Sequence, residues 1–95
     1  MEFEWDNDKN SSNKIKHGFD FMDAISVFND PCRIEVEDLR KDYGERRFIM
    51  TGKVEPRRLQ LVVVYTLRGD KYRIISVRRA SYEERELYKN HIKSV

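Results

Sequence analysis

Two periodicities divide this chain, a helical one in its first third and at its end, and an alternating one between. Phe3-Glu4-Trp5 alternates apolar and polar, as a short edge strand does. Asp6 behind it can cap a polar helix reaching Lys16 or His17, with Gly18 as its stop. Ile15 and His17 are the bulky groups of that helix, so it is expected to lean on the sheet through a narrow contact. Asp20 caps a second helix, in which Phe21, Ala24, Ile25 and Phe28 recur at helical spacing and bury one face. It ends at Asn29-Asp30-Pro31, because a residue before proline is pushed out of the helical region.

From Cys32 the period becomes two: Cys32, Ile34 and Val36 point one way and Arg33, Glu35 and Glu37 the other. Asp38 to Gly44 is a polar loop, Phe48 and Met50 mark a strand to Gly52, and Lys53-Val54-Glu55-Pro56 turns the chain into an apolar run from Leu59 to Thr66, the expected central strand. Leu67-Arg68-Gly69-Asp70 forms a hairpin turn into Lys71 to Arg79. Ser81 and Glu84 then make a capping box for a helix through about Lys93. The order β-α-α-β-β-β-β-α, with four successive strands on short connections, predicts an α+β fold: an antiparallel twisted sheet with the helices gathered on one side.

Composition narrows the class. Ninety-five residues make one domain with a single modest core. With 39% hydrophobic and 38% charged residues, the chain can fold yet has no apolar run of membrane-spanning length. The start, Met1-Glu2-Phe3-Glu4-Trp5-Asp6, lacks the basic and apolar regions of a secretory signal, and a soluble cytoplasmic protein is expected. Cys32 is alone, so it forms no internal disulfide and reads as a small apolar residue; with His17 and His91 far apart, no metal site is evident, and no cofactor is expected. The net charge of +2 conceals polarity: residues 1–44 carry −5 and residues 45–95 carry +7. A basic half attracts an anion, whether nucleic acid or an acidic protein. Its sharpest feature is the strand-like run from Tyr72 to Ala80, which delivers Arg78 and Arg79 together to the start of a helix. Paired guanidiniums there suit phosphate or carboxylate oxygens.

Four pieces in order carry a resemblance: Phe3-Glu4-Trp5-Asp6; Lys16-His17-Gly18 leading to Val27-Phe28-Asn29-Asp30-Pro31; Glu45-Arg46-Arg47-Phe48 ahead of Gly52; and Val63-Val64-Tyr65-Thr66 with Arg73-Ile74-Ile75-Ser76-Val77-Arg78-Arg79-Ala80. Together they resemble the BrnT toxins over nearly the whole chain, and the Glu84 and Tyr88 spacing is also similar to that family. Val77 stands where alanine is commoner, and Arg46 fills a variable slot, without removing a chemical group. The resemblance implies a RelE-like ribonuclease fold and a bacterial type II toxin that inhibits translation by cutting RNA. It also implies a BrnA antitoxin with a ribbon-helix-helix DNA-binding domain. A heterotetramer with that antitoxin is expected, touching DNA only through it.

Metal-independent RNA cleavage needs a base for the 2′-hydroxyl, cations for the charged transition state and an acid for the leaving 5′-oxygen. Residues of all three kinds are present: the expected catalytic set is His17, Glu45, Arg47, Arg78 and Arg79. Arg78 and Arg79 alternate across their strand, so one of them faces a given cleft unless a bulge precedes Ala80; Arg78 is favoured, sharing a face with Ile74 and Ser76. Glu45 and Arg47 share a parity, which suits a base beside a phosphate clamp or a plain surface ion pair. His17 is a candidate because imidazole as a residue type suits proton transfer, but an imidazolium also complements a helix C-terminus. Lys9 and Lys16, two turns apart with Asn13 between, suggest a phosphate-tracking stripe, or merely a solvated face. Arg73 extends the basic strand, and Tyr65 and Tyr88 either stack on bases or pack in the core. Trp5 is expected to be buried or partner-facing. The competing function is a binding module that holds nucleic acid or an acidic peptide without cutting it, as a corepressor with its antitoxin.

Overall fold

The computed structural model describes residues 2–93. Its elements are β1 (Glu2–Glu4), α1 (Asn7–His17), α2 (Met22–Phe28), β2 (Ile34–Glu37), β3 (Arg47–Val54), β4 (Leu59–Arg68), β5 (Lys71–Arg79) and α3 (Tyr82–Lys93). They form one open sheet in the order β1-β5-β4-β3-β2. The last four strands are antiparallel neighbours with β4 at the centre, and β1 lies parallel to β5, which makes the sheet mixed. The α+β order follows the periodicities.

Alternation along the strands creates two faces. Met50, Leu61, Val63, Tyr65, Ile74 and Val77 project from one of them and meet Phe21, Ala24 and Val27, all part of one buried cluster. Val27, with no exposed surface, takes the place expected for Ile25, which is only half-buried. Each of the larger side chains contributes about 1.5–3 kcal/mol by leaving water. Phe3, Phe28, Tyr65 and Tyr72 add an aromatic group with centroids 4.5–5.5 Å apart, tying β1 to α2 and the sheet. Trp5 packs edge-on against Phe21 at 6.2 Å.

The helices do not all share a side. Ile34, Ile49 and Thr51 face away from the Met50 surface, and with Leu87 and His91 of α3 they line a groove of about 500 Å³. Thus α3 lies across the opposite face from α2, a correction to the one-sided arrangement expected from chain order. Its start is the capping box: Glu84 N–H donates to Ser81 Oγ at 3.2 Å and Ser81 N–H to Glu84 Oε1 at 2.7 Å. Its anchor is Tyr88, 2% exposed, whose hydroxyl donates to Asp30.

α1 is held differently from the expected apolar lean. Ile15 is 89% exposed. Asp6 Oδ1 accepts the N–H groups of Asp8 and Lys9, and Gly18 closes the helix at φ 79°. The attachment is made by Asn13, whose amide donates to Val77 O at 2.8 Å and Phe19 O at 2.9 Å and accepts from Val77 N–H at 3.2 Å. Beyond the three residues paired with β1, the outer edge of β5 is therefore met by one side chain in place of a strand.

Candidate nucleic-acid interface

One irregularity decides which basic groups share a surface. Between β4 and β5 the register runs Val64↔Ser76 and then Tyr65↔Ile74, so Ile75 has no partner and bulges. Without it, Arg73 and Arg78 would point to opposite faces. With it, Ile74 and Val77 both enter the core, while Arg73, Ser76 and Arg78 emerge together on the other face. Across β4, Thr66 pairs with both Arg73 and Arg47, adding Arg47 to that face. Arg78 does not share its side with Ile74, as alternation alone implied; it shares it with Ser76.

Arg78 is half-buried and gripped by Glu84: Nη1 donates to Oε1 at 2.7 Å and Nη2 to Oε2 at 2.8 Å. The guanidinium, with help from the capping bond to Ser81, overcomes burial and holds the Glu84 carboxyl at about 2. Arg79 projects to the opposite face and is exposed, since no bulge separates it from Arg78. The two arginines therefore do not act on one cleft.

The expected contact between Glu45 and Arg47 is present, Nε to Oε2 at 3.4 Å, with Arg68 at 3.8 Å from the other carboxylate oxygen. Arg47 also lies 4.3 Å from the centre of the Tyr43 ring, a cation–π contact. Arg47 and Arg78 pair with Thr66 and Val62 of β4, four residues or about 13 Å apart along the strand. They suit neighbouring nucleotides better than a single phosphate. Arg73, across β4 from Arg47, is paired with Glu4 at 3.7 Å.

Lys9, Lys16 and His17 meet at the margin of this face, sharing with Ile75 and Ser76 a shallow hollow of about 210 Å³. Asn13 lines it too, but its amide is committed to β5 and is not part of a phosphate stripe. Tyr65 and Tyr88 are likewise poorly placed to stack on bases. Tyr65 is 5% exposed, packs on Phe48 and donates to Glu35 at 2.6 Å, and Tyr88 is tied to Asp30. Burial first, and then the neighbouring carboxylate, pushes both phenols well above their ordinary range. For Asp30, burial opposes ionisation, but bonds from Tyr88 and from the N–H groups of Lys53 and Cys32 outweigh it and hold the carboxyl low.

Two groups escaped the sequence reading. Glu84 was legible as a cap but not as the partner of Arg78. The loop between β2 and β3 is organised by Asp38, which accepts from Arg40 and Tyr43. The only linear signal is an aspartate two residues before an arginine and five before a tyrosine, a common arrangement in polar turns. Among the described residues, no three of His, Cys, Asp and Glu converge as metal ligands do, and no helix is long and apolar enough to cross a membrane.

The model of a protein family described as the ribonuclease toxin BrnT of type II toxin–antitoxin systems matches residues 5–84, a span from Trp5 through the Arg78 partner Glu84. No curated protein matches the chain.

Proposed function

This chain belongs to the BrnT family of ribonuclease toxins of type II toxin–antitoxin systems, and from that premise we propose that it cuts RNA on the face bearing Arg73, Ser76 and Arg78, without a metal ion. The toxin role, RNA cleavage, an RNA substrate and an antitoxin partner go with the family. What supports the location is a single observation: the Ile75 bulge brings Arg73, Ser76 and Arg78 to one face, beside the hollow that His17 lines.

In the proposed reaction the 2′-oxygen attacks phosphorus as its proton passes to a base. The phosphorus–O5′ bond breaks and O5′ takes a proton from an acid, leaving a 2′,3′-cyclic phosphate and a 5′-hydroxyl. Arg78, oriented by Glu84, stabilises the charge on the phosphorane-like transition state. His17 is the group proposed to exchange a proton with the reacting oxygens. Arg47, held by Glu45, with Lys9, Lys16 and Arg73, binds flanking nucleotides. Arg79, on the opposite face, is outside this set. The antitoxin is proposed to be BrnA-like, with a ribbon-helix-helix domain that contacts DNA in a heterotetramer, and to neutralise the toxin in the cytoplasm by covering the arginine face.

The test is cleavage of free and ribosome-bound RNA by the purified chain in excess chelator, with analysis of product ends. Cutting that persists and leaves cyclic-phosphate and 5′-hydroxyl ends supports the reading. Cutting only with added divalent ions, or 5′-phosphate ends, refutes the mechanism. Tight RNA binding with no cutting favours the non-catalytic binding module.

A further inference from the structure

Asp38 is an unusual investment for a surface loop. Its side chain is 3% exposed, while that of its partner Arg40 is 75% exposed. The carboxylate accepts from Arg40 Nε at 2.8 Å, Arg40 Nη2 at 2.9 Å, the Arg40 backbone N–H at 3.1 Å and the Tyr43 hydroxyl at 2.7 Å. A buried carboxylate is costly unless so satisfied. This set fixes the guanidinium plane in advance and leaves other N–H groups of the fork directed outward. The loop is in turn pinned to the sheet: Asp38 N–H donates to Arg47 O at 2.7 Å, and the Tyr43 ring carries the Arg47 guanidinium. Arg47 belongs to the Arg78 face, so the loop lies along that face. Arg40 and Arg78 each have their own carboxylate on the protein side, which leaves both forks set to take an anion that runs along this face.

We propose that the loop from Asp38 to Gly44 is a phosphate clamp in which Arg40, set by Asp38, grips the RNA phosphodiester backbone together with Arg78, set by Glu84. The proposal rests on the ribonuclease reading and adds a binding residue to it. Arg40 binds backbone rather than bases, because the fork matches two non-bridging phosphate oxygens and carries no sequence code. Tyr43 acts as a brace, holding Asp38 with its hydroxyl and Arg47 with its ring.

The test uses the full chain and a 2′-O-methyl RNA oligonucleotide, which binds without the attacking hydroxyl, with affinity read by fluorescence anisotropy over a salt series. Arg40→Ala is expected to weaken binding about ten-fold and to lower the slope of log affinity against log salt by about 0.7, one phosphate contact on a single strand. Arg57→Ala removes the same charge from an arginine paired with Asp23 on the α2 side, and is expected to change affinity less than about two-fold. Arg40→Lys, which keeps the charge but lacks the fork, is expected to recover only part of the loss. The combined Arg40→Ala and Arg78→Ala variant is expected to lose less than the product of the single losses, since both grip one backbone segment. If Arg40→Ala behaves like Arg57→Ala while Arg78→Ala loses binding, the clamp is overturned and the ribonuclease face stands. If Arg78→Ala also binds as wild type does, the proposed face falls and the clamp with it.

Discussion

Replacing Asn13 with alanine separates a structural role from an RNA-binding one. The side chain is 6% exposed and makes three hydrogen bonds, two to Val77 on β5 and one to Phe19. At about 0.5–1.5 kcal/mol each, their loss destabilises the fold by about 1.5–4.5 kcal/mol. Alanine returns a little over half a kcal/mol through its better helix propensity. A net loss of about 2–3 kcal/mol is expected. For a domain of this size it lowers Tm by about 10–20 °C, at roughly 4–8 °C per kcal/mol. Urea and thermal unfolding followed by circular dichroism measure the loss, and anisotropy on the folded protein measures RNA affinity, expected to stay within about two-fold of wild type. A stability loss below about 0.5 kcal/mol, combined with a fall in affinity matching that of Lys9→Ala, would show that Asn13 faces RNA and refute the reasoning.

The pH dependence should carry the mark of Glu84, whose carboxyl is held at about 2 against an ordinary 4.5. A depressed carboxyl stabilises the native state above its unfolded value, so this contribution is complete above about pH 4.5 and is lost as pH falls toward 2. With the Glu84 and Arg78 side chains 27% and 39% exposed, screening leaves about 1–2 kcal/mol. Glu84→Gln should remove that part of the acid-unfolding slope, and an unchanged slope would place the pair's contribution near zero. Tyr88→Phe should cost about 1.5–3 kcal/mol in urea unfolding by taking a donor from the Asp30 carboxylate, while leaving RNA affinity unchanged. Reduced affinity at full stability would instead put Tyr88 on the RNA path. Gly52→Ala should cost about 1–3 kcal/mol, because its Cβ would stand 2.9 Å from Val27 Cγ1 and 3.2 Å from Asp30 Oδ2; wild-type Tm would show that α2 can shift freely.

The two periodicities made the elements legible because each face that leaves water writes its own spacing into the chain. The capping box at Ser81 and Glu84 and the stop at Gly18 were equally plain, being local chemistry. The position of α3 was not legible, since it depends on the Tyr88 bond to Asp30, 58 residues away in sequence. Nor was the attachment of α1: its amide contact with Val77 leaves no periodic trace, and Ile15 misled by being apolar and exposed. For the candidate site, the opposed directions of Arg78 and Arg79 followed from parity alone. The grouping of Arg73 with Ser76 and Arg78 required the Ile75 bulge, which is set by how β5 must bury both Ile74 and Val77. Tyr65 and Tyr88 look alike as amphipathic rings in the sequence, and only the packing shows both hydroxyls turned to carboxylates.

The most direct test of the account is single-turnover RNA cleavage in chelator by wild type, Arg78→Ala and Arg79→Ala, each shown to be folded by circular dichroism. The account predicts that Arg78→Ala cuts at least 100-fold more slowly, roughly the weight of one transition-state donor, while Arg79→Ala stays within about ten-fold of wild type. Wild-type cleavage by folded Arg78→Ala, or a deeper loss in Arg79→Ala, would contradict the placement of the reaction on the face that the Ile75 bulge assembles.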